Sequence, residues 1–203
     1  MKKYQQTFLI LICLLAFSPN TRLMAQDSAL PYAEIPDAPK KYNACTVAAR
    51  MVDGLGFRYY WATEGLRPED LNYKPSESAR TADATLDHIY GLTMVIVNSV
   101  KGLPNGGPRS DRPTTYEEKR RRTLLALKEA SDILRNSKPR KMKDFKVIFQ
   151  RGETTTEYPF WNQLNGPIVD AIWHVGQMVS FRRASGNPLN PKVSVFSGKL
   201  RNN

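Results

Sequence analysis

Asp170 and His174 stand four residues apart in Asp170-Ala171-Ile172-Trp173-His174. On an α-helix that interval is about 400° of rotation, so the two side chains return to one face, one turn apart. Pro167, Ile172, Trp173, Val175 and Met178 around them are apolar, with Gln177 one turn beyond His174, and this setting predicts a core-facing pair. A carboxylate held there costs several kcal/mol unless a cation or strong donor lies opposite. His88, in Leu86-Asp87-His88-Ile89-Tyr90, is the natural partner, because the chain has only two histidines and all imidazole chemistry must run through His88 and His174. Two imidazoles and one carboxylate from facing helices make a metal-ligand set that leaves coordination positions open, as in catalytic zinc and non-haem iron centres. Spacing alone admits a second reading as well, in which both histidines are hydrogen-bonded core side chains and Asp170 is a helix N-terminal charge.

Four helices have to position these residues. Lys41 to Thr63 carries Cys45, Ala48, Ala49, Val52, Leu55 and Tyr59 on one stripe and stops before Gly65, with Gly54 and Gly56 weakening its middle. Leu66 to Ser78, with Pro68 and Pro75, reads as a loop; Thr81 then caps a second helix with Asp83 in its first turn, His88 in its body and an end near Val100. Gly102, Pro104, Gly106, Gly107 and Pro108 break the chain. The third helix spans Thr114 to Asn136, with Glu117 and Glu118 at its start and Leu124, Leu127 and Ile133 facing inward. Lys146 to Phe149 and Thr154 to Tyr158 flank Arg151-Gly152-Glu153 as a small hairpin. The last helix begins at Pro167, a favoured first position, and ends near Ser185 with Gly186 beyond it. The fold class expected is therefore all-α, a four-helix bundle with at least one long connection and a hairpin between its third and fourth helices.

Residues 1–25 read as a signal peptide: Lys2 and Lys3 precede an unbroken apolar run from Phe8 to Phe17, and Ala25 supplies a small residue at the cleavage point. That run is too short for a transmembrane helix, which needs about 20 apolar residues. Residues 26–40, with Pro31, Pro36 and Pro39, form a lead-in arm, and 41–203 form one domain with an extended C-terminal tail. The expected product is exported, periplasmic or secreted, with no transmembrane segment. Two cysteines exclude a disulfide scaffold and any Cys-rich zinc fold, and Cys45, left alone after cleavage, falls on the buried stripe.

The chain has 30 Lys and Arg against 19 Asp and Glu, a formal charge of +11, of which removal of the signal peptide takes Lys2, Lys3 and Arg22. Lys119-Arg120-Arg121-Arg122 and the run Lys138 to Lys143 are the densest positive stretches. No recognition motif accompanies them, so they read as a solvated basic face suited at most to anionic lipid, and nucleic acid is not an expected partner. Trp161 and Trp173 read as core filling, and Gly176 as a point of close helix approach.

Two stretches carry a resemblance. Thr85-Leu86-Asp87-His88-Ile89, following Trp61 to Pro75, and Asp170 to Gln177 running on to Arg182-Arg183-Ala184-Ser185-Gly186-Asn187-Pro188 resemble the DinB/YfiT-like superfamily over about residues 41 to 190. The family's last helix has His, three residues, His, any residue, Gly-Gln, then Gly-x-Pro. The resemblance implies that His88 is the first metal ligand, that Asp170 stands where the second ligand His usually stands, and that His174 is the third; Val175 occupies a position where Arg is common. It implies a divalent ion (Zn, Ni, Fe or Mn), with Asp170 adding negative charge and a harder donor. Gln177 would hold a ligand or a bound water. Relatives are associated with metal-dependent hydrolysis and thiol transfer. For an exported chain hydrolysis of a small-molecule substrate is the expectation, since thiol co-substrates are chiefly cytoplasmic. No residue identifies itself as the general base. The competing expectation is a non-catalytic metal- or ligand-binding protein of the cell envelope, with a homodimer compatible with either.

Overall fold

The computed structural model describes residues 30–106 and 110–202; the signal peptide read over 1–25 lies outside them. The elements in chain order are α1 (Ala44–Thr63), α2 (Pro68–Asn72), α3 (Ala82–Lys101), α4 (Tyr116–Asn136), a 3₁₀ helix (Pro139–Asp144), β1 (Lys146–Arg151), β2 (Thr154–Pro159), α5 (Phe160–Gln163), a π turn (Leu164–Ile168), α6 (Val169–Ala184), β3 (Val193–Ser194) and β4 (Lys199–Leu200). The protein is thus mostly helical, with two small antiparallel hairpins. Side-chain caps start the long helices: Asn43 accepts from the amides of Cys45 and Thr46, Thr81 from Ala84, and Thr115 from Glu118. The first and third helices therefore begin two or three residues later than periodicity alone places them.

The four long helices pack as a bundle in which α1 and α3 each lie against α4 and α6. Contacts at the helix ends give their directions. Arg120 at the start of α4 donates to Thr63 Oγ1 at the end of α1 (3.2 Å), so these two run antiparallel. Lys119 pairs with Asp83 at 2.8 Å and Lys101 with Glu129 at 2.7 Å, start to start and end to end, so α3 and α4 run parallel. Arg182 near the end of α6 donates to the Trp61 carbonyl near the end of α1 at 2.9 Å, so those two are parallel as well. The order is up, down, down, up, and the Gly102 to Thr115 connection must travel the length of the bundle, about 30 Å for 20-residue helices. Early in that crossover Asn105 bonds to β1, its amide donating to Ile148 at 2.8 Å and its carbonyl accepting from Gln150 at 2.7 Å. Leu55, Leu86, Ile89, Ile96, Leu124, Leu127, Leu134, Ile168 and Met178 fill the core.

The lead-in arm is tied down. Tyr32 donates to the buried Asp53 at 3.1 Å, the Trp61 indole donates to Ala33 at 3.1 Å and Arg50 donates to Pro36 at 2.6 Å. Asp53 also accepts from Ser131 at 2.5 Å and pairs with Arg135, joining arm, α1 and α4 in one network. The Tyr32 ring lies over Gly56, where an added Cβ would come within 2.5 Å of it. Gly56→Ala should displace the ring and lower stability by about 1–3 kcal/mol in urea unfolding; an unchanged midpoint would contradict this packing.

Several expectations need correction. The Leu66 to Ser78 loop contains α2, started by Pro68 and capped by Asp70, whose carboxylate accepts from the Arg67 amide at 2.8 Å. The C-terminal tail is not simply extended, because β3 and β4 pair and the Gly198 carbonyl accepts from Ile35 of the arm at 2.8 Å. Helical structure begins before Pro167: α5 enters at Phe160 and the proline sits inside the π turn, beside Gly166 with ψ −109°. A proline lacks the donor an α-helix needs, and the wider turn absorbs that defect while the buried Phe160 and Ile168 hold both sides of it in place. The Lys119 to Arg122 run is not a solvated face. Lys119 and Arg120 are buried, Lys119 between Asp83 and Asp87 and Arg120 over the Tyr60 ring at 4.6 Å. Their partners come from other helices, which periodicity along α4 does not disclose. Trp161 and Trp173 are 75% and 71% exposed, so neither fills the core. A Cβ added at the exposed Gly176 would meet nothing within 4 Å, so its missing side chain serves no close helix approach. Cys45 is buried as expected, its thiol donating to the Lys138 carbonyl at 3.6 Å, and burial pushes its pKa up.

Candidate metal centre

His88 projects from the second turn of α3 and Asp170 and His174 from one face of α6, and these two helices are packed neighbours. The turn that carries His88 is fixed from behind, because Lys119 of α4 is 2.8 Å from Asp83 and 3.0 Å from Asp87. On α6 the core is met by Ala171, Val175 and Met178, all buried. Asp170 and His174 lie one residue round from that stripe. They lie at the half-buried edge of the α3–α6 contact and not in the core, with side chains 39% and 17% exposed against 34% for His88. The four-residue spacing fixed how the pair faces each other, but the apolar residues around it did not fix which way the face points.

The three side chains converge. Asp170 Oδ2 is 3.4 Å from His88 Nε2, and Asp170 Oδ1 is 3.3 Å from His174 Nε2. One donor atom from each residue lies within 4.8 Å of the others, a group able to hold a metal ion. The two rings meet edge to face, with centroids 4.6 Å apart at 87°. Charge-assisted hydrogen bonds run at about 2.7–2.9 Å, shorter than either contact. Ligands at about 2.0–2.1 Å from a tetrahedral ion are themselves separated by about 3.3–3.4 Å; each imidazole stands that far from its own Asp170 oxygen, while one donor atom from each of the three residues lies within the wider span of 4.8 Å.

His174 Nδ1 is 2.7 Å from Gln177 Oε1, and an amide oxygen only accepts, so Nδ1 carries the proton and Nε2 of the neutral ring carries a lone pair. That lone pair faces a carboxylate oxygen at 3.3 Å. Two acceptors in that position require either a second proton on His174 or a cation between them. For His88, burial, then the facing His174 and then Arg80 push the pKa below the ordinary imidazole value, against an opposing pull from Asp170. The neutral ring, whose nitrogen lone pair is available, is thereby favoured.

Gln177, expected beside the site, is found at 2.7 Å from His174 Nδ1, which leaves Nε2 turned toward Asp170. Gln177→Ala should weaken metal affinity by about 10-fold, read by competition with a chromophoric chelator; unchanged affinity would show that the Nδ1 contact does nothing for the site. Two contributors were not legible beforehand. Arg80 carries charge to His88 from just before the Thr81 cap, and Lys119 steadies α3 from another helix. Neither lies at a helical interval from His88 that would have marked it.

The Arg182 to Pro188 segment has a structural task. Arg182 donates to the Trp61 and Ala62 carbonyls at 2.9 and 3.2 Å and to Asn187 O at 2.7 Å, satisfying open carbonyls at the end of α1. Ser185 and Asn187 donate to Asp70 at 2.5 and 2.7 Å, and Arg67 joins the same carboxylate at 2.9 Å. This lock holds the end of α6 to the α1–α2 corner and so sets where Asp170 and His174 stand.

Compared with known proteins, the chain matches no family model, no curated protein and no solved structure.

Proposed function

We propose that the protein is an exported, DinB/YfiT-like metal-dependent hydrolase of a small molecule, with His88, Asp170 and His174 holding one divalent ion, zinc, nickel, iron or manganese. The observation that carries the reading is the convergence of both imidazoles on one carboxylate, His174 Nε2 at 3.3 Å from one Asp170 oxygen and His88 Nε2 at 3.4 Å from the other. The family assignment is supported by a four-helix bundle with a long connection that puts both histidines on facing helices. Export is supported by the sequence of residues 1–25.

When bound, such an ion supplies Lewis acidity and brings the pKa of water toward neutrality. The rest falls to the chain's own residues. Asp170 would offset the ion's charge, Gln177 holds His174 Nδ1, and the cluster is partly open to solvent on one side. Among the described residues no helix is long and apolar enough to cross a membrane.

The test has two parts. Elemental analysis of untagged mature protein should find close to one divalent ion per chain; less than about 0.1, with no uptake of zinc, nickel, iron or manganese, would end the metal reading. A hydrolase panel comparing wild type with His174→Ala should then find an activity that the substitution removes. Activity untouched by that change would take the site out of the mechanism, and metal bound with no turnover would leave a binding protein.

A further inference from the structure

At the end of the bundle where α1 begins, a groove of about 740 Å³ opens between α1, the 3₁₀ helix and the α5 entry to the last helix. Its walls are Val47, Met51, Met142, Phe160, Trp161 and Leu164, and among the described residues Arg140 and Lys143 are the only charged ones lining it. Its size falls within the range of small-ligand sites, about 300–1,000 Å³. None of His88, Asp170 and His174 lines it, so the groove is separate from the metal cluster and its reading does not rest on it.

The 3₁₀ helix explains the lining. Side chains at i and i+3 eclipse in that geometry, so Pro139 and Met142 form an apolar stripe and Arg140 and Lys143 a cationic one beside it. The thiol of Cys45 holds the start of this helix against α1. Nearby lysines have acidic partners, Lys141 with Asp144 at 3.4 Å and Lys146 with Glu157 at 2.7 Å. Arg140 and Lys143 are exposed, and neither makes a side-chain hydrogen bond or ion pair among the described residues. Two adjacent cations beside an apolar trough, with no acid in the lining, call for a ligand with one anionic end and a long apolar body.

We infer that this groove binds a single-chain anionic amphiphile, a free long-chain carboxylate, with its head between Arg140 and Lys143 and its chain along α1. A membrane surface would engage only what protrudes, chiefly Trp161 at 75% and Val47 at 49% exposure, whereas Ala48 and Phe160 lie at the floor at 3% and 6%, reached only by a ligand that enters.

The full chain is titrated with palmitate below its micelle threshold, by calorimetry and by tryptophan fluorescence. Saturable one-to-one binding is expected, weakened at least 10-fold by Arg140→Glu with Lys143→Glu, and at least 10-fold weaker for hexadecanol, which has the same chain without the charge. Val47→Trp, which fills the trough and leaves both cations, should also abolish binding. These positions are exposed, so far-ultraviolet circular dichroism should be unchanged. The inference is overturned by absence of saturable binding, by equal affinity for hexadecanol, by indifference to either variant, or by association with phosphatidylglycerol vesicles alone.

Discussion

His174→Ala should lower divalent-metal affinity by more than about 100-fold, since losing a residue that merely orients a metal-ligating histidine already costs about 10–100-fold. His88→Ala should do the same from the other helix, which tests whether α3 and α6 serve one ion. Both side chains are partly exposed, so neither loss opens a core cavity, and thermal unfolding of the metal-free variants should stay near that of the metal-free wild type. Acidification gives an independent check. Because burial, His174 and Arg80 depress the His88 pKa, this ring is more than half neutral at pH 6.5, where an ordinary imidazole is half protonated. It loses its lone pair only as the pH falls further. Metal should therefore be retained at pH 6.5 and released at lower pH, followed by chelator competition. Release already complete at pH 6.5 would contradict the depressed value.

The second large effect is on stability. Asp70 is 1% exposed and its carboxylate accepts from the Arg67 amide and guanidinium, from Ser185 and from Asn187. Burial alone would raise its pKa, but the Arg67, Ser185 and Asn187 hydrogen bonds hold it well below the usual carboxylate range. Asp70→Ala strands these donors and should cost about 3 kcal/mol at pH 7. The sign with pH follows from the depressed value: the unfolded chain takes up the proton first, so this stabilisation is complete above the ordinary carboxylate pKa of about 4. It is lost progressively as the pH drops below that. Urea unfolding of wild type and variant should show a gap that narrows below about pH 4; a gap independent of pH would mean that Asp70 acts through packing and not through its charge.

The parts of this arrangement that were legible in sequence are those set by local rules. Four helical segments, the Thr81 cap, the β1–β2 hairpin and the pairing of Asp170 with His174 all follow from spacing and from residues within a turn of one another. What stayed hidden depends on partners distant along the chain. Lys119 and Arg120 look like surface charge until Asp83, Asp87 and Tyr60 close over them. Trp161 and Trp173 have core-forming side chains but stand on outer faces, because the π turn and the buried stripe through Ala171, Val175 and Met178 set the rotation of the last helix. Pro167 marks that turn and not a helix start, since Phe160 had already begun the helical stretch. The Arg182 to Asn187 segment was legible as a motif, yet its task, closing the Asp70 lock, needs the α1–α2 corner beside it.

Scarcity made the cluster findable. With only two histidines in 203 residues, their meeting edge to face across two helices, with one carboxylate reaching both, is the feature on which the functional reading stands. X-ray absorption at the zinc edge of zinc-loaded protein tests it most directly. One zinc is expected, with scattering from two imidazole nitrogens and a carboxylate oxygen at about 2.0–2.2 Å, and with one imidazole lost in either His88→Ala or His174→Ala. A spectrum without imidazole scattering, or one unchanged by both substitutions, would contradict it.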